Sequence, residues 1–370
     1  MATSYCILVD GAPAADLMGA ASTIEIEENL DLPSAMSMHL PVSRSAKGDL
    51  TMVSERRFRP FADLSFVATT EAGPQCLFDG LVLSHKLHVA RSGTQSTLEV
   101  WGEDASWLMN LEEKVKEWAD VTDSSVAASI FGDYDIAPAA ANGRDDSPSH
   151  IESKHTLMQR ATDIQFLRML ARRNGKLCWV AAGEKPGRRT GYFVRPNLQG
   201  TPAAVLSLAG GAEGNIEALD FEWDVTRPTA VRARQAVFDK DDADGVGGLT
   251  RESGLPLLAE RGLSSFAGRS MTVMLTAAVD GAGELTMRSQ SLLRESGWFA
   301  RCRGVADLAR VKKVLRPGTV VRVDAAGSVS SGRYFIWSVR HTITQQTHRM
   351  AFQLVRNAVG PAARGGGSFA

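Results

Sequence analysis

Several absences narrow the field before any motif is sought. The 370 residues hold only four cysteines, Cys6, Cys76, Cys178 and Cys302, far apart and without a C-x-x-C pair. That spacing spells neither a disulfide framework nor a zinc cluster. The apolar contexts "SYCILV", "QCLFDG", "KLCWVA" and "FARCRG" suit small buried hydrophobes in a reducing compartment. Charge of one sign is also lacking, since 41 Lys and Arg face 42 Asp and Glu for a formal net charge of -1. No basic surplus exists to release counterions from phosphates, so nucleic-acid specificity is not expected. No apolar run reaches the roughly 20 residues of a membrane helix, so membrane insertion is not expected. The start, "MATSYCILVDGAPAAD", lacks a basic region followed by an apolar one and does not read as a secretory signal.

Catalytic signatures are missing as well. There is no G-x-S-x-G, and "GSVSSG" sets its serines at other offsets in a turn between strands. No H-E-x-x-H, P-loop or strand-borne G-x-G-x-x-G occurs. His85 and His88 stand three apart on a predicted strand and point to opposite faces. His341 and His348 flank a predicted hairpin turn and can face each other, but no Cys or carboxylate completes a ligand set at metal-like spacing, so they read as surface or ladder histidines. In "DKDDADGVGGLTRE" the calcium-loop positions would fall on Lys240, Asp242 and Asp244, with Arg251 where a bidentate Glu belongs, and two cations spoil that reading. No catalytic residue, metal ligand or cofactor is assigned, and the chain is not read as an enzyme.

What is present is period-2 patterning. "STIEIEENL" alternates Ile24 and Ile26 with Glu25 and Glu27, and "SAMSMHLPV" alternates Met36, Met38 and Leu40 with Ser37 and His39. Similar short strands recur to about residue 105, as in a sandwich or barrel. The pattern then turns helical. Thr122 or Asp123 can cap a helix through Phe131. In "RATDIQFLRMLARRNGKLCWV", Thr162 and Gln165 fit a capping box and Gly175 a left-handed stop. Phe166, Leu167 and Leu170 form its buried face. From Ile216 strands return, and "RYFIWSVRHTI" with "HRMAFQLVRN" reads as a closing hairpin that puts Trp337 and Phe352 in a core. The chain therefore divides into a first β unit at 1–118, an α/β middle at 119–215, a second β unit at 216–358 with a long inserted loop at 239–268, and a flexible tail at 359–370. The fold class is mainly β with an α/β insert (α+β).

Four stretches in this order carry a family resemblance. They are "NLDLPSAMSMHL", "LFDGLVLSHKLHVARSGTQSTLEVWGEDASWLM", "RATDIQFLRMLARRNGKLCWV" and "LRPGTVVRVDAAGSVSSGRYFIWSVRHTITQQTHRMAFQLVRN". The chain resembles the phage late control protein D family, the tail hub proteins of contractile phages. It is similar also to the hub part of type VI VgrG spike proteins and to hubs of extracellular contractile injection systems. The resemblance implies two tail-tube-like β-barrels flanking the α/β unit, and a structural baseplate hub without catalysis. It implies a homotrimer that joins a hexameric inner tube protein to a separate spike protein among other baseplate proteins. Assembly would occur in the bacterial cytoplasm, within a phage tail or phage tail-like particle. A tail-associated cell-wall hydrolase or a lumen effector carrier is the alternative.

Overall fold

The computed structural model describes residues 3–53, 55–91, 95–140, 147–152, 156–236, 246–279 and 281–361. Alternation sets the inward faces from the first strands onward. In Thr23–Asn29 the side chains of Ile24, Ile26 and Glu28 point in, and in Ala35–Pro41 those of Met36, Met38 and Leu40 do. The first unit comprises β1 (Ser4–Val9), β2 (Thr23–Asn29), β3 (Ala35–Pro41), β4 (Asp63–Thr70), β5 (Gly73–His88) and β6 (Thr97–Asp104). Its neighbours run β2-β3-β6-β5-β4-β1 around a core that includes Ile7, Leu17, Met38, Phe66 and Phe78.

A middle unit follows. A ribbon of β7 (Glu113–Trp118) and β8 (Leu157–Thr162), helices α1 (Asp123–Gly132) and α2 (Asp163–Asn174), and the hairpin β9 (Leu177–Ala182) and β10 (Arg189–Val194) share one core. Phe166, Leu167 and Leu170 are buried in it. At about 1.5–3 kcal/mol for each large apolar side chain, packing holds α2 in place.

The second unit departs from the expected span. Its strands are β11 (Val205–Ser207), β12 (Ile216–Trp223), β16 (Ala300–Asp307), β17 (Val320–Asp324), β18 (Gly332–Ile343) and β19 (His348–Arg356). Val205–Ser207, placed by pattern in the middle unit, instead pairs with β17 in parallel. Glu113–Trp118, placed in the first unit, pairs with β8 of the middle one. The segments "AVRARQ" and "TVMLTA" are not strands of the large sheet. As β13 (Ala230–Gln235) and β15 (Thr272–Ala277) they pair in parallel, with β14 (Gly247–Thr250) on the other edge of β13 and α3 (Ala282–Ser296) packed over them. A parallel pair requires a crossover, and the supposed loop 239–268 supplies it. Its described part holds β14, Arg261–Gly262 and the helix Leu263–Ala267, while 239–245 lies outside the described residues. The expected tail is corrected at its start, where Val359 pairs with Arg261 and is buried, while residues 362–370 lie outside the described ones.

With that excursion removed, the second unit's neighbours run β12-β16-β19-β18-β17-β11. Counted in chain order within each unit, both read 2-3-6-5-4-1. The fifth strand carries one extra residue against the sixth in both, Leu83 in β5 and Trp337 in β18. The first strands differ, because β1 pairs with β4 antiparallel while β11 pairs with β17 in parallel. Between β18 and β2 the two units join, so that among the described residues these twelve strands, with the short strand Ala12–Pro13 paired to β1, form one thirteen-stranded sheet.

Candidate functional site

The junction of the units is built by one strand that serves two neighbours. Gly332–Phe335 of β18 pairs with β17, whereas Ser338–Ile343 pairs with β2 on the same edge. The switch falls at the bulge of Trp337, since Ile336 faces Leu354 and Ser338 faces Gln353. An extra residue reverses the alternation beyond it. Tyr334, Ile336, Val339 and Phe352 thus reach the core of the second unit, while Phe335 and Trp337 turn the other way. Trp337 is corrected here. It is half-buried against the shared cluster of Leu30, Trp179, Trp298 and Phe335, and its indole N–H donates to Asp31 at 3.1 Å.

Behind the bulge lies a buried polar chain. Tyr5 Oη stands 3.0 Å from His348 Nδ1, His348 Nε2 stands 2.9 Å from His341 Nδ1, and His341 Nε2 stands 3.1 Å from Glu28 Oε2. Arg316 donates to the other Glu28 oxygen at 2.8 Å and to the Cys76 carbonyl at 3.0 Å. With both imidazoles neutral, every group is satisfied when Tyr5 donates to His348, His348 to His341 and His341 to the Glu28 carboxylate. His341 is 0% exposed and His348 4%, so these are ladder histidines but not surface ones. Burial, then the neighbouring His341, pulls His348 down to about 3, and burial with Asp307 pushes Tyr5 up to about 12. Glu28 continues the inward phase of Ile24 and Ile26. That phase is the only sequence signal that marks it.

In front of the junction a cleft of about 820 Å³ opens between all three units. Glu28, Gln75, Trp179, Tyr192, Arg316 and Phe335 line it, and the Trp179 and Tyr192 rings stack at 4.1 Å.

The helix cap also needs correction. Thr162 has extended N-cap geometry but makes no cap hydrogen bond, and its hydroxyl donates to Asn110 at 2.8 Å. Gln165 is exposed. Asp163 competes for the local donors and accepts from Gln159, Tyr134 and Lys114. The capping box sits instead on α1, between Thr122 and Ser125. Gly175 closes α2 at φ 61°, ψ 35°. Asp123, fully buried, accepts from His150, Arg173 and Asn174; burial opposes its charge, and these three donors outweigh it and hold its carboxyl below the usual range. Burial pushes the thiols of Cys76, Cys178 and Cys302 up to about 12, whereas Cys6 is only half-buried. Lys240, Asp242 and Asp244 lie outside the described residues, and Arg251 is exposed.

No constellation among these resembles a nucleophile with its base. The large sheet also presents strand edges without a neighbour among the described residues. Strand β12 forms one end of the large sheet and leaves Phe221 and Trp223 exposed. Beyond Val82, β5 has no partner on its β4 side among the described residues.

A family model described as the Alg8 N-terminal domain matches residues 1–192, just over half of the chain. No curated protein matches. Solved structures match over the whole length. A tail protein from Neisseria meningitidis aligns with TM-score 0.66 at 14% identity, covering 97% of this chain and 98% of that one. A 43 kDa tail protein of prophage MuSo2 from Shewanella oneidensis aligns with TM-score 0.68 at 14% identity, covering 97% and 100%. An Escherichia coli component of the type VI secretion system, described as similar to bacteriophage T4 tail proteins, aligns with TM-score 0.57 at 15% identity, covering 98% and 80%. The chain has the fold of these tail proteins.

Proposed function

This chain belongs to the Alg8 N-terminal domain family by its match over residues 1–192, and from its fold we propose that it is a baseplate hub of a contractile injection machine. In this reading it resembles the late control protein D hubs, and three copies join a hexameric inner tube to the spike within a phage tail or phage tail-like particle. The observation that carries the proposal is the end-to-end fold match to two tail proteins, with at least 97% of each chain covered. The repeated strand order supports it further. Two similar six-stranded units per chain, taken as the two barrels, give six in a trimer, the number needed to meet a sixfold tube. The role is structural, without catalysis, and the partners are the tube, the spike and other baseplate proteins.

Electron microscopy of the full chain mixed with its tube and spike partners tests the reading. Threefold particles with this chain between tube and spike are expected. Particles that form complete while leaving it out would end the proposal. Zymography on peptidoglycan tests the absence of catalysis, and a cleared zone lost on changing one carboxylate would assign hydrolase activity instead.

A further inference from the structure

The join between the two units inside one chain is a template for a join between chains. Within the chain, the end of a fifth strand, Ser338–Ile343 of β18, pairs with the second strand of the other unit, β2. The counterparts of both partners lie open. The end of β5, Ser84–His88, is the equivalent fifth-strand end, and it has no neighbour on that edge among the described residues. Strand β12 is the equivalent second strand, and it ends the sheet.

Register equates the two joins residue by residue. Counting from the bulges through the ladder to the sixth strand, Lys86 takes the place of Arg340, Leu87 that of His341 and His88 that of Thr342. Counting on through the third strands, Glu222 takes the place of Glu27, Phe221 that of Ile26 and Asp220 that of Glu25. The chemistry follows the register. Inside the chain Arg340 opposes Glu27 across the join, with their charged groups 2.7 Å apart. The equivalent opposition is Lys86 with Glu222, again cation to carboxylate, and beside it His88 meets Asp220. Leu87 would meet Phe221, which is 39% exposed as things stand.

We propose that Ser84–His88 of one copy pairs antiparallel with β12 of the next, Lys86 against Glu222, so that the sheet continues from chain to chain. The inference deepens the hub reading and takes its threefold count from it. Each unit then offers its fifth strand to the second strand of the next. The same hand of contact recurs within and between chains, and so a ring closes rather than a sheet edge remaining open. Backbone ladder bonds supply adhesion, and the charges set register.

The test uses the full chain with light scattering and a short thiol-reactive crosslinker. Lys86→Cys with Glu222→Cys should give crosslinked dimers and trimers, and neither single variant should. Lys86→Glu should weaken self-association about tenfold or more, and adding Glu222→Lys should restore it. Thermal unfolding of each variant, expected to match the unaltered chain, separates lost association from lost folding. Trimers that form without the crosslink and ignore Lys86→Glu overturn this pairing while leaving the hub reading intact. A chain that stays monomeric both alone and with tube and spike overturns both.

Discussion

Arg294 of α3 lies directly over Gly175 at the end of α2. A Cβ placed on Gly175 would stand 2.8 Å from the Arg294 side chain. Arg294 donates to the Asn174 carbonyl at 3.0 Å, and Ser291 donates to the Arg173 carbonyl at 2.9 Å. The excursion between β12 and β16 thereby caps the C-terminal carbonyls of a helix in another unit, a task that local backbone bonds alone leave incomplete. Gly175→Ala meets two penalties, the left-handed φ of 61° and displacement of that guanidinium. The expected loss is about 2–4 kcal/mol, read from the urea midpoint. A loss below about 1 kcal/mol would mean that Arg294 moves aside freely.

The bulge sets a second expectation. Phe352 is 4% exposed in the core of the second unit, so Phe352→Ala should cost about 3–5 kcal/mol. Trp337, turned outward onto the shared cluster and half-buried, should lose only about 1–3 kcal/mol as Trp337→Ala and remain soluble. Urea unfolding of the two variants side by side checks the order. The reverse order would place Trp337 in the core after all.

That pair shows what the sequence could and could not carry. Period 2 is local, so the inward faces of β2 and β3 and the buried stripe of α2 are readable from Ile24, Met36 or Leu170 alone. A bulge adds one residue without any composition signal, and alternation carried through Trp337 assigns its side chain to the wrong face. Parallel pairing of β13 with β15 is invisible for a related reason. Their strand character is legible, but the neighbour each will choose depends on contacts some forty residues away. The site was less legible still. Glu28 reads as one more surface carboxylate after Glu25 and Glu27 until its phase is followed. Spacing shows that His341 and His348 can face each other, yet not that they are buried, because their polar partners Tyr5 and Glu28 are brought near only by the fold.

Arg316 supports the third prediction. It neutralises Glu28, a residue only 5% exposed, and it ties the approach to β17 to the Cys76 carbonyl of the first unit. Arg316→Met leaves a buried charge without its strongest partner and should cost about 3–5 kcal/mol. Combining it with Glu28→Gln removes the stranded charge, so the double variant should lose less than the sum of the singles. A double-mutant cycle from denaturant midpoints measures the coupling. Additive losses would show that the two side chains act independently.

The imidazole pair gives the fold an acid limit. His348 is held near 3 by burial and by His341, well below the value near 6.5 of an exposed histidine. A base whose folded value is depressed binds protons in the unfolded chain first, so this group penalises folding as pH falls below about 6.5. Its stability contribution is complete above that value and drains away toward pH 3. Between pH 6.5 and 4.5 His348 should thus contribute a loss of roughly 2–3 kcal/mol, about tenfold in the unfolding constant per pH unit. Chemical denaturation across that range checks it against His348→Gln, which can still accept from Tyr5 and donate to His341 but does not titrate. The variant's curve should be flatter by that amount over the same interval, and parallel curves would assign the acid sensitivity to other groups. Asp123 supplies the internal control, because a carboxylate held below its usual range loses its contribution only as pH falls below about 4.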